Sequence, residues 1–167
     1  PLEGVNSMLK RVLDLLIASF ALLILSPLLL LIALLVKLSS PGPVLYRQER
    51  VSVDGSCFTI FKFRTMRSDA EVDGPGWTRK NDQRVTAVGS VLRSLSLDEL
   101  PQLLNVLLGD MSIVGPRPER PVYIEEFRRR VPRYMLRHKV PAGITGWAQV
   151  HGWRGDTSIG KRIEFDL

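Results

Sequence analysis

Cysteine is nearly absent from this sequence, which contains Cys57 and no other among its 167 residues. A single cysteine excludes a disulfide framework and any zinc site built from several cysteine ligands. It is typical of a protein that functions in the reducing cytosol. Cys57 alternates with Thr59 in a strand-like pattern, and we expect it to be a small core residue.

Glycine and proline are not abundant either, at 13 and 11 residues, which excludes collagen-like repeats and low-complexity disorder. A hydrophobic content of 45% excludes an acidic disordered tail and is sufficient for a core. The net charge is +6, and a basic chain of this kind suits anionic surfaces such as lipid headgroups.

Charged residues are missing altogether between Leu15 and Val36. As a straight helix this run would span roughly 33 Å, enough to cross the hydrocarbon core of a bilayer. Pro27 lies near its middle and removes one backbone hydrogen bond, while Ser26 can bond back to the freed carbonyls. We therefore expect a kink or break at Ser26 and Pro27.

Basic residues flank the apolar run on both sides, with Lys10 and Arg11 before it and Lys37 after it. A spanning helix normally has an asymmetric distribution of positive charge, so this symmetry favours a re-entrant segment whose two ends stay cytoplasmic. We expect the three basic side chains to meet lipid phosphates. A kinked transmembrane span and a secretory signal peptide are the alternatives, and no small-residue cleavage site supports the latter.

The chain divides at this run into a junction (residues 1–9), a membrane helix–break–helix (residues 10–38) and a membrane-associated cytoplasmic domain (residues 39–167). The expected fold class is α+β, in which a re-entrant membrane helix is joined to a small, mainly helical domain with a short β-hairpin.

Periodicity within the domain predicts its elements. Strand-like segments at residues 44–51 and 57–63 flank a turn and predict the hairpin, with Lys62 and Arg64 on one face. The polar stretch 65–82 predicts a long loop. Helical spacing follows at residues 85–95, 97–108, 123–130 and 133–139. Basic residues are frequent from 128 to 139, and we expect this stretch to face a membrane surface.

Asp98 and Glu99 are the most informative pair in the domain. Proline is tolerated only in the first turn of a helix, so Pro101 predicts a helix start near Asp98 with both carboxylates at its N-terminus. One interpretation is a capping box, because Ser96 and Glu99 have the S-x-x-E spacing. The other is phosphate chemistry, in which Asp98 is a nucleophile and Glu99 holds Mg²⁺ together with substrate phosphates.

Phosphate chemistry also requires fixed positive charge, and each candidate cation has the alternative of a solvated surface role. The candidates are Lys62, Arg64, Arg93 and Arg117. Pro116 and Pro118 limit the backbone on both sides of Arg117, and a rigid loop that presents a guanidinium suits bidentate capture of phosphate. We therefore place this Pro-Arg-Pro segment among the substrate-binding residues.

Eight short motifs follow one another between residues 10 and 118. They are Lys10-Arg11-x-x-Asp14, Ser26-Pro27, Ser40-Pro41-Gly42-Pro43, Lys62-Phe63-Arg64, Asp82-x-Arg84-x-Thr86, Leu97-Asp98-Glu99-Leu100-Pro101-Gln102, Gly109-Asp110-Met111-Ser112 and Gly115-Pro116-Arg117-Pro118. In this order they resemble the monotopic phosphoglycosyl transferases, also called bacterial sugar transferases. Eight ordered motifs are far more specific than any one of them, so the capping interpretation loses most of its weight.

The resemblance implies that Asp98 is the nucleophile and Glu99 the Mg²⁺ ligand, and that Lys62, Arg93 and Arg117 contact phosphate or nucleotide. It also implies transfer of a sugar 1-phosphate from a UDP-sugar to undecaprenyl phosphate, with release of UMP, on the cytoplasmic face of the bacterial inner membrane. Longer members of the family carry additional segments on both sides, so we expect a catalytic fragment, and homo-oligomerisation stays open.

Two other functions compete with the enzyme. A membrane-anchored binding module would use Asp98 and Glu99 only as helix caps, and a scaffold for polysaccharide export would tolerate replacement of Asp98. Nucleic acid is not an expected partner, because only Tyr134 is interleaved with the basic residues at 128–139. No residue identifies the sugar or the polysaccharide pathway.

Overall fold

The computed structural model describes residues 4–70, 82–155 and 157–167. A long N-terminal helix, α1 (Val5–Ser39), lies against a small domain of mixed helix and strand. The elements of that domain are β1 (Leu45–Val51), β2 (Cys57–Phe63), α2 (Ala87–Ser94), α3 (Gln102–Leu108), β3 (Ser112–Val114), α4 (Pro121–Arg130), β4 (Gly143–Thr145), α5 (Trp147–Val150) and α6 (Ile159–Asp166). The predicted α+β class is confirmed.

The predicted break in α1 is wrong, because the chain stays α-helical from Val5 to Ser39 with Pro27 inside the helix. The predicted hydrogen bond of Ser26 is confirmed, since its Oγ donates to the carbonyl oxygen of Leu23 at 2.8 Å. Leu23 lies four residues before Pro27, so this is the carbonyl that the missing N–H of the proline leaves unpaired. The helix also begins within the segment that we expected to be a junction.

One stripe of α1 packs against the domain over nearly the whole helix. Its buried residues Asp14, Ala18, Ile32 and Val36 recur at the helical period. Partly buried side chains between them extend two hydrophobic clusters, which the domain completes with residues of β2, α2 and α3. The opposite face carries exposed apolar side chains. The helix is therefore bound lengthwise to the domain and has an apolar face without a partner in the described chain.

The predicted hairpin is confirmed. β1 and β2 pair antiparallel from Leu45 opposite Phe63 to Val51 opposite Cys57. Asp54, in the connecting turn, adopts a left-handed backbone with φ 52°, a conformation that Asp tolerates better than most residues. Cys57 is exposed, so its expected core position is wrong: it is the first residue of β2, beside the turn.

The free edge of β2 is paired with a side chain. Asn105, which is fully buried, accepts a hydrogen bond from the backbone N–H of Phe61 at 3.0 Å and donates one to the carbonyl of Thr59 at 2.7 Å. Because Asn105 lies in α3, these bonds fix α3 and the turn before it relative to β2. The helix then ends at Gly109, as predicted, with a left-handed φ of 98°.

A close approach of main chains positions the segment after β3. β3 pairs parallel with β4, with Ser112 opposite Gly143. A Cβ atom on Gly143 would collide with the backbone of Gly115, and one on Gly146 would collide with the carbonyl of Gly115. Glycine is therefore required here for close packing, and this contact holds the start of the Pro-Arg-Pro segment.

The remaining helices agree with the prediction in part. α2 lies within the predicted span and begins at Thr86, whose Oγ1 accepts a hydrogen bond from Gly89 N at 2.9 Å. α4 agrees with the third predicted helix, whereas the fourth is a 3-10 turn, Tyr134–Lys139. Arg137 in this turn is buried, which corrects its expected place on a membrane-facing surface. Of the predicted long loop, residues 71–81 lie outside the described chain.

Candidate active site

An open cavity of about 1240 Å³ lies between the hairpin, α2 and the segment after β3. This volume exceeds the roughly 300–1,000 Å³ of ordinary small-molecule pockets, so the cavity can accept a ligand larger than a drug-sized molecule. The six charged residues that were predicted from sequence all line it. They are Lys62, Arg64, Arg93, Asp98, Glu99 and Arg117.

The carboxylate pair lies in a 3-10 turn, Leu97–Glu99, directly before α3. The capping-box interpretation is wrong, because the side chain of Ser96 makes no capping hydrogen bond. Ser96 instead has a left-handed backbone, with φ 56°, which is uncommon for serine and is typical of functional turns. The Glu99 carboxylate points away from the helix terminus toward two cations in the cavity.

Lys62 and Arg117 both bind Glu99. The Lys62 Nζ lies 2.8 Å from Glu99 Oε1, and the Arg117 guanidinium reaches Oε1 at 2.5 Å and Oε2 at 3.1 Å. Burial alone would raise the pKa of Glu99, but the two cations outweigh it and hold that pKa well below its ordinary value. Glu99 is therefore an ionised carboxylate at neutral pH.

Asp98 has the opposite surroundings, although it is the neighbouring residue. It is buried, at 8% exposure, and it forms no ion pair within the described part of the chain. Burial raises the pKa of Asp98 above its ordinary value, with Lys62 and Arg93 acting against that rise. Two adjacent carboxyl groups with diverging pKa values are characteristic of sites where each has its own chemical role.

Arg93 and Arg64 differ in their hydrogen-bond partners. Arg93 donates from Nε to Thr65 Oγ1 at 2.7 Å and interacts electrostatically with Asp98. The guanidinium of Arg64 instead binds backbone carbonyls at the end of α1, among them Ser40 O at 2.6 Å. These contacts occupy the guanidinium, although Arg64 also lines the cavity, and its contact with substrate stays a prediction.

Arg117 is held by hydrogen bonds to two other segments of the chain. Its Nη1 donates to Gln149 Oε1 at 3.0 Å, and its backbone carbonyl accepts from Arg137 at 2.9 Å. Pro116 and Pro118 are absent from the described lining of the cavity, contrary to their expected place among the substrate-binding residues. Their carbonyls accept hydrogen bonds, and their rings restrict the backbone.

A row of polar side chains on β1, which was not predicted from the sequence, also lines the cavity. Gln48 Nε2 donates to the Tyr46 hydroxyl at 2.8 Å, and Arg50 donates to Gln48 Oε1 at 2.5 Å. Tyr46 is directly opposite Lys62 in the antiparallel register, so the two share one face. The two-residue period of β1, once paired with β2, was the signal that could have identified this row.

Two of the basic residues expected at the lipid surface, Lys10 and Arg11, have partners within the protein. Lys10 pairs with Asp14 of the same helix at 2.7 Å and donates to Ser112 Oγ of β3, and Arg11 donates to the carbonyls of Val106 and Leu107 at the end of α3. These bonds account for both side chains without lipid. Their contact with lipid phosphates stays a prediction.

The donor set fits a divalent cation only together with substrate. Within residues 4–70, 82–155 and 157–167, no three metal-ligating side chains are grouped. Mg²⁺ is usually held by one or two carboxylates plus phosphate oxygens, and Glu99 is an ionised carboxylate of this cavity that suits such a site. Glu99 must then exchange part of its contact with Lys62 and Arg117.

Sequence comparisons show relatives that act on lipid phosphates. The UDP-glucose:undecaprenyl-phosphate glucose-1-phosphate transferases of Escherichia coli (strain K12) and Klebsiella pneumoniae are 53% and 50% identical to this chain, covering all of it and 37% of each relative. The UDP-N-acetylgalactosamine-undecaprenyl-phosphate N-acetylgalactosaminephosphotransferase of Aeromonas hydrophila is 47% identical, covering 98% of this chain and 39% of the relative.

This chain therefore spans less than two fifths of the length of these relatives. The family model described as bacterial sugar transferase matches residues 5–167, which include α1 and the whole cavity. Together with the arrangement of Asp98, Glu99, Lys62 and Arg117, this match shows that the chain belongs to the bacterial sugar transferase family.

Proposed function

We propose that this domain transfers a sugar 1-phosphate from a UDP-sugar to undecaprenyl phosphate and releases UMP. The names of the relatives support both substrates. The observation that carries the proposal is the contrast between two adjacent carboxylates. Glu99 is neutralised by Lys62 and Arg117, whereas Asp98 faces the same cavity without an ion pair in the described chain.

In the first step an Asp98 carboxylate oxygen attacks the phosphorus nearest the sugar. A bond forms between that oxygen and phosphorus, the anhydride bond to the second phosphorus breaks, and UMP leaves with the electron pair. In the second step a phosphate oxygen of undecaprenyl phosphate attacks the same phosphorus and displaces Asp98. The carboxylate is regenerated, and the product is a lipid diphosphate sugar.

Lys62 and Arg117 can exchange their ion pairs with Glu99 for ion pairs with a bound diphosphate. Without substrate they neutralise Glu99, and a bound diphosphate offers them stronger partners in the same cavity. Arg93 approaches from the side of Asp98 and can stabilise the phosphoryl oxygens. The cations thereby bind the diphosphate and orient it for attack.

Glu99 is the residue that we propose to hold Mg²⁺ once the two cations have shifted to phosphate. When bound, the ion would neutralise charge on the leaving phosphate. Removal of divalent cations with EDTA should therefore abolish turnover, and added Mg²⁺ should restore it.

The primary test is release of UMP from a panel of UDP-sugars in the presence of undecaprenyl phosphate. The Asp98→Asn variant keeps the shape of the side chain but removes the nucleophile, so we expect turnover to fall by several orders of magnitude. Asp54→Asn is the matched control, because it makes the same chemical change in an exposed turn. Full activity in Asp98→Asn would refute the proposal.

The panel also identifies the sugar. Relatives at 53% and 47% identity are named for glucose and N-acetylgalactosamine, so overall similarity does not choose between them.

We propose further that α1 lies in one leaflet on the cytoplasmic side of the bacterial inner membrane. In the described chain it is the helix long and apolar enough to cross a membrane. Yet Asp14 near one end and Val36 near the other both contact the same domain. These positions are roughly 33 Å apart along a helix, so a spanning orientation would draw polar atoms of the domain into the bilayer.

The apolar face of α1 is suited to this position. Phe20, Leu23 and Leu30 are 66%, 74% and 73% exposed. α2 and α3 pack beside the helix, and Leu95, directly after α2, and Leu108, the last residue of α3, are further exposed apolar side chains. Burial of such a surface in the acyl chains would stabilise membrane binding.

Single-cysteine labelling tests this topology. We would introduce cysteine at Asn6 and at Ser39 in a Cys57→Ser background, with Asp54→Cys as the reference for the side on which the domain lies. An impermeant reagent added to sealed, oriented vesicles should label all three positions from one face. Labelling of Asn6 and Ser39 from opposite faces would show a spanning helix and contradict the proposal.

A further inference from the structure

Four charged side chains that the proposed reaction does not use form a buried cluster at the wall of the cavity, which two of them, Glu119 and Arg162, line. Arg162 Nη1 lies 2.6 Å from Glu119 Oε1, and Arg137 Nη2 lies 2.7 Å from Asp166 Oδ2. Arg137 also approaches Glu119 at 3.8 Å. The four side chains are between 0% and 7% exposed, and their charges balance. We call Glu119, Arg137, Arg162 and Asp166 the ionic cluster.

Stability alone is a weak reason for such a cluster. Removing charges from water costs several kcal/mol per ion, and replacing a buried pair with apolar residues of similar volume is often neutral or stabilising. Nor is each group fully satisfied, since Nε of Arg137 and of Arg162 are buried without a hydrogen-bond partner in the described structure. A role beyond stability is therefore the better explanation of the cluster.

Two hydrogen bonds connect the ionic cluster to backbone atoms of residues that line the cavity. Arg137 donates to the backbone carbonyl of Arg117 at 2.9 Å from the same Nη2 that binds Asp166. Arg162 donates to the backbone carbonyl of Gly155 at 2.7 Å. Gly155 and its neighbour Arg154 both line the cavity.

Each arginine of the cluster therefore holds a loop that contributes a guanidinium to the cavity. The Arg117 guanidinium binds Glu99, and Arg154 approaches Ser96 Oγ at 3.4 Å, two residues before Asp98. The cluster draws its members from three parts of the chain: the segment after β3, the 3-10 turn Tyr134–Lys139 and α6. The ionic cluster thus connects the loop of Arg117 and the loop of Arg154 through one buried set of ion pairs.

We infer that Arg137 and Arg162 are positioning residues that hold the loops of Arg117 and Arg154 in the geometry that binds the diphosphate of the UDP-sugar. This inference rests on the proposed function. Without the hydrogen bond from Arg137, the Arg117 loop samples more conformations. Binding of the diphosphate must then order the loop at a larger cost in conformational entropy, so the affinity for UDP-sugar falls. The lipid acceptor, which enters after UMP has left, should be affected less.

Paired replacement separates positioning from stability. Arg137→Met alone leaves Asp166 uncompensated and should destabilise the fold, whereas Arg137→Met combined with Asp166→Leu removes the ion pair as a unit. We expect the double variant to unfold near the parental temperature, yet to show about a tenfold higher KM for UDP-sugar with little change in the KM for undecaprenyl phosphate. A purely structural pair predicts parental KM values once stability is restored.

The matched control is the double variant Lys161→Gln and Glu164→Gln, which removes an exposed ion pair from the same helix, α6. It should keep the parental KM. If the Arg137 and Asp166 double variant does not fold, Arg137→Lys decides, because an ammonium group keeps the charge but loses the planar fork of donors. A several-fold rise in KM for UDP-sugar is then expected.

Parental KM for UDP-sugar in the folded double variant, or in Arg137→Lys, would overturn the inference while leaving the proposed function intact. Absence of UMP release by the parental chain would refute the proposed function, and the inference with it.

Discussion

Asp98 and Glu99 were identified as site residues from the sequence, but their individual partners were not. Residue types and spacing made Asp98, Glu99 and the cations candidates, and only the resemblance carried by the eight ordered motifs favoured phosphate chemistry over helix capping. Which cation binds which carboxylate could not be predicted. Lys62, Glu99 and Arg117 come from three distant segments. Only the fold brings Lys62 Nζ and the Arg117 guanidinium within 3.1 Å of the Glu99 carboxylate.

Arg117→Lys tests whether the geometry of the guanidinium matters. Arg117 reaches both oxygens of Glu99 and also Gln149, and a lysine can reproduce the charge but not this fork. Loss of one charge-assisted hydrogen bond is worth about 1.5–3 kcal/mol, so kcat/KM for UDP-sugar should fall by roughly 10- to 100-fold. Arg128→Lys, on the exposed face of α4, is the control. Unchanged kinetics in Arg117→Lys would contradict the role of the fork.

His138 predicts a pH dependence of stability. Burial first, and then Arg137, lowers the pKa of His138 to about 4, although Glu119 opposes the shift and the ring packs on Tyr134. The unfolded chain therefore binds a proton between pH 6.5 and about 4 that the folded chain does not bind. Stability should fall as pH drops through this window, by at most about 3 kcal/mol, and be constant above it for this group.

Chemical denaturation of the parental chain and of His138→Leu between pH 7 and pH 4 measures this effect. The difference in unfolding free energy between the two should be constant above about pH 6.5 and should shift in favour of the variant as the pH falls toward 4. His151→Gln, at an exposed histidine, should follow the parental curve. An identical pH dependence in His138→Leu and the parental chain would contradict the assignment.

At the scale of elements, periodicity located the strands and most helices, but packing decided the rest. Helix α1 stays helical through Pro27 because Ser26 satisfies the freed carbonyl and because the domain packs on both sides of that point. The sequence alone shows that Pro27 lacks a backbone N–H, but it does not show the packing that keeps the helix continuous. The expected fourth helix became a 3-10 turn whose Arg137 is buried in an ion pair, and no local pattern reveals such a partner.

Asn105→Ala tests the connection between α3 and β2. The variant removes the partners of Phe61 N–H and Thr59 C=O, and a buried polar group left unsatisfied costs about 1–3 kcal/mol. The free energy of unfolding should therefore fall by about 2–4 kcal/mol in chemical denaturation. Leu108→Ala, at an exposed position of the same helix, should have a much smaller effect. Equal losses in both variants would show that the side-chain bonds to β2 do not stabilise the fold.

At the scale of the whole molecule, the long apolar helix and the charged cavity belong to one body. α1 is bound lengthwise to the domain, and its free face is apolar, so a membrane that receives this face also sets the position of the cavity. A soluble nucleotide sugar and a lipid phosphate could then meet at the headgroup layer. The sequence predicted both parts, but their lengthwise contact depends on tertiary packing that only the structure shows.

The central claim is that Asp98 becomes covalently attached to the sugar phosphate. Mass spectrometry of the chain after incubation with its UDP-sugar and Mg²⁺, without lipid acceptor, tests it most directly. The account predicts one added sugar phosphoryl group on the peptide that contains Asp98, lost when undecaprenyl phosphate is added and absent from Asp98→Asn. An unmodified Asp98 in a preparation that turns over once acceptor is supplied would contradict it.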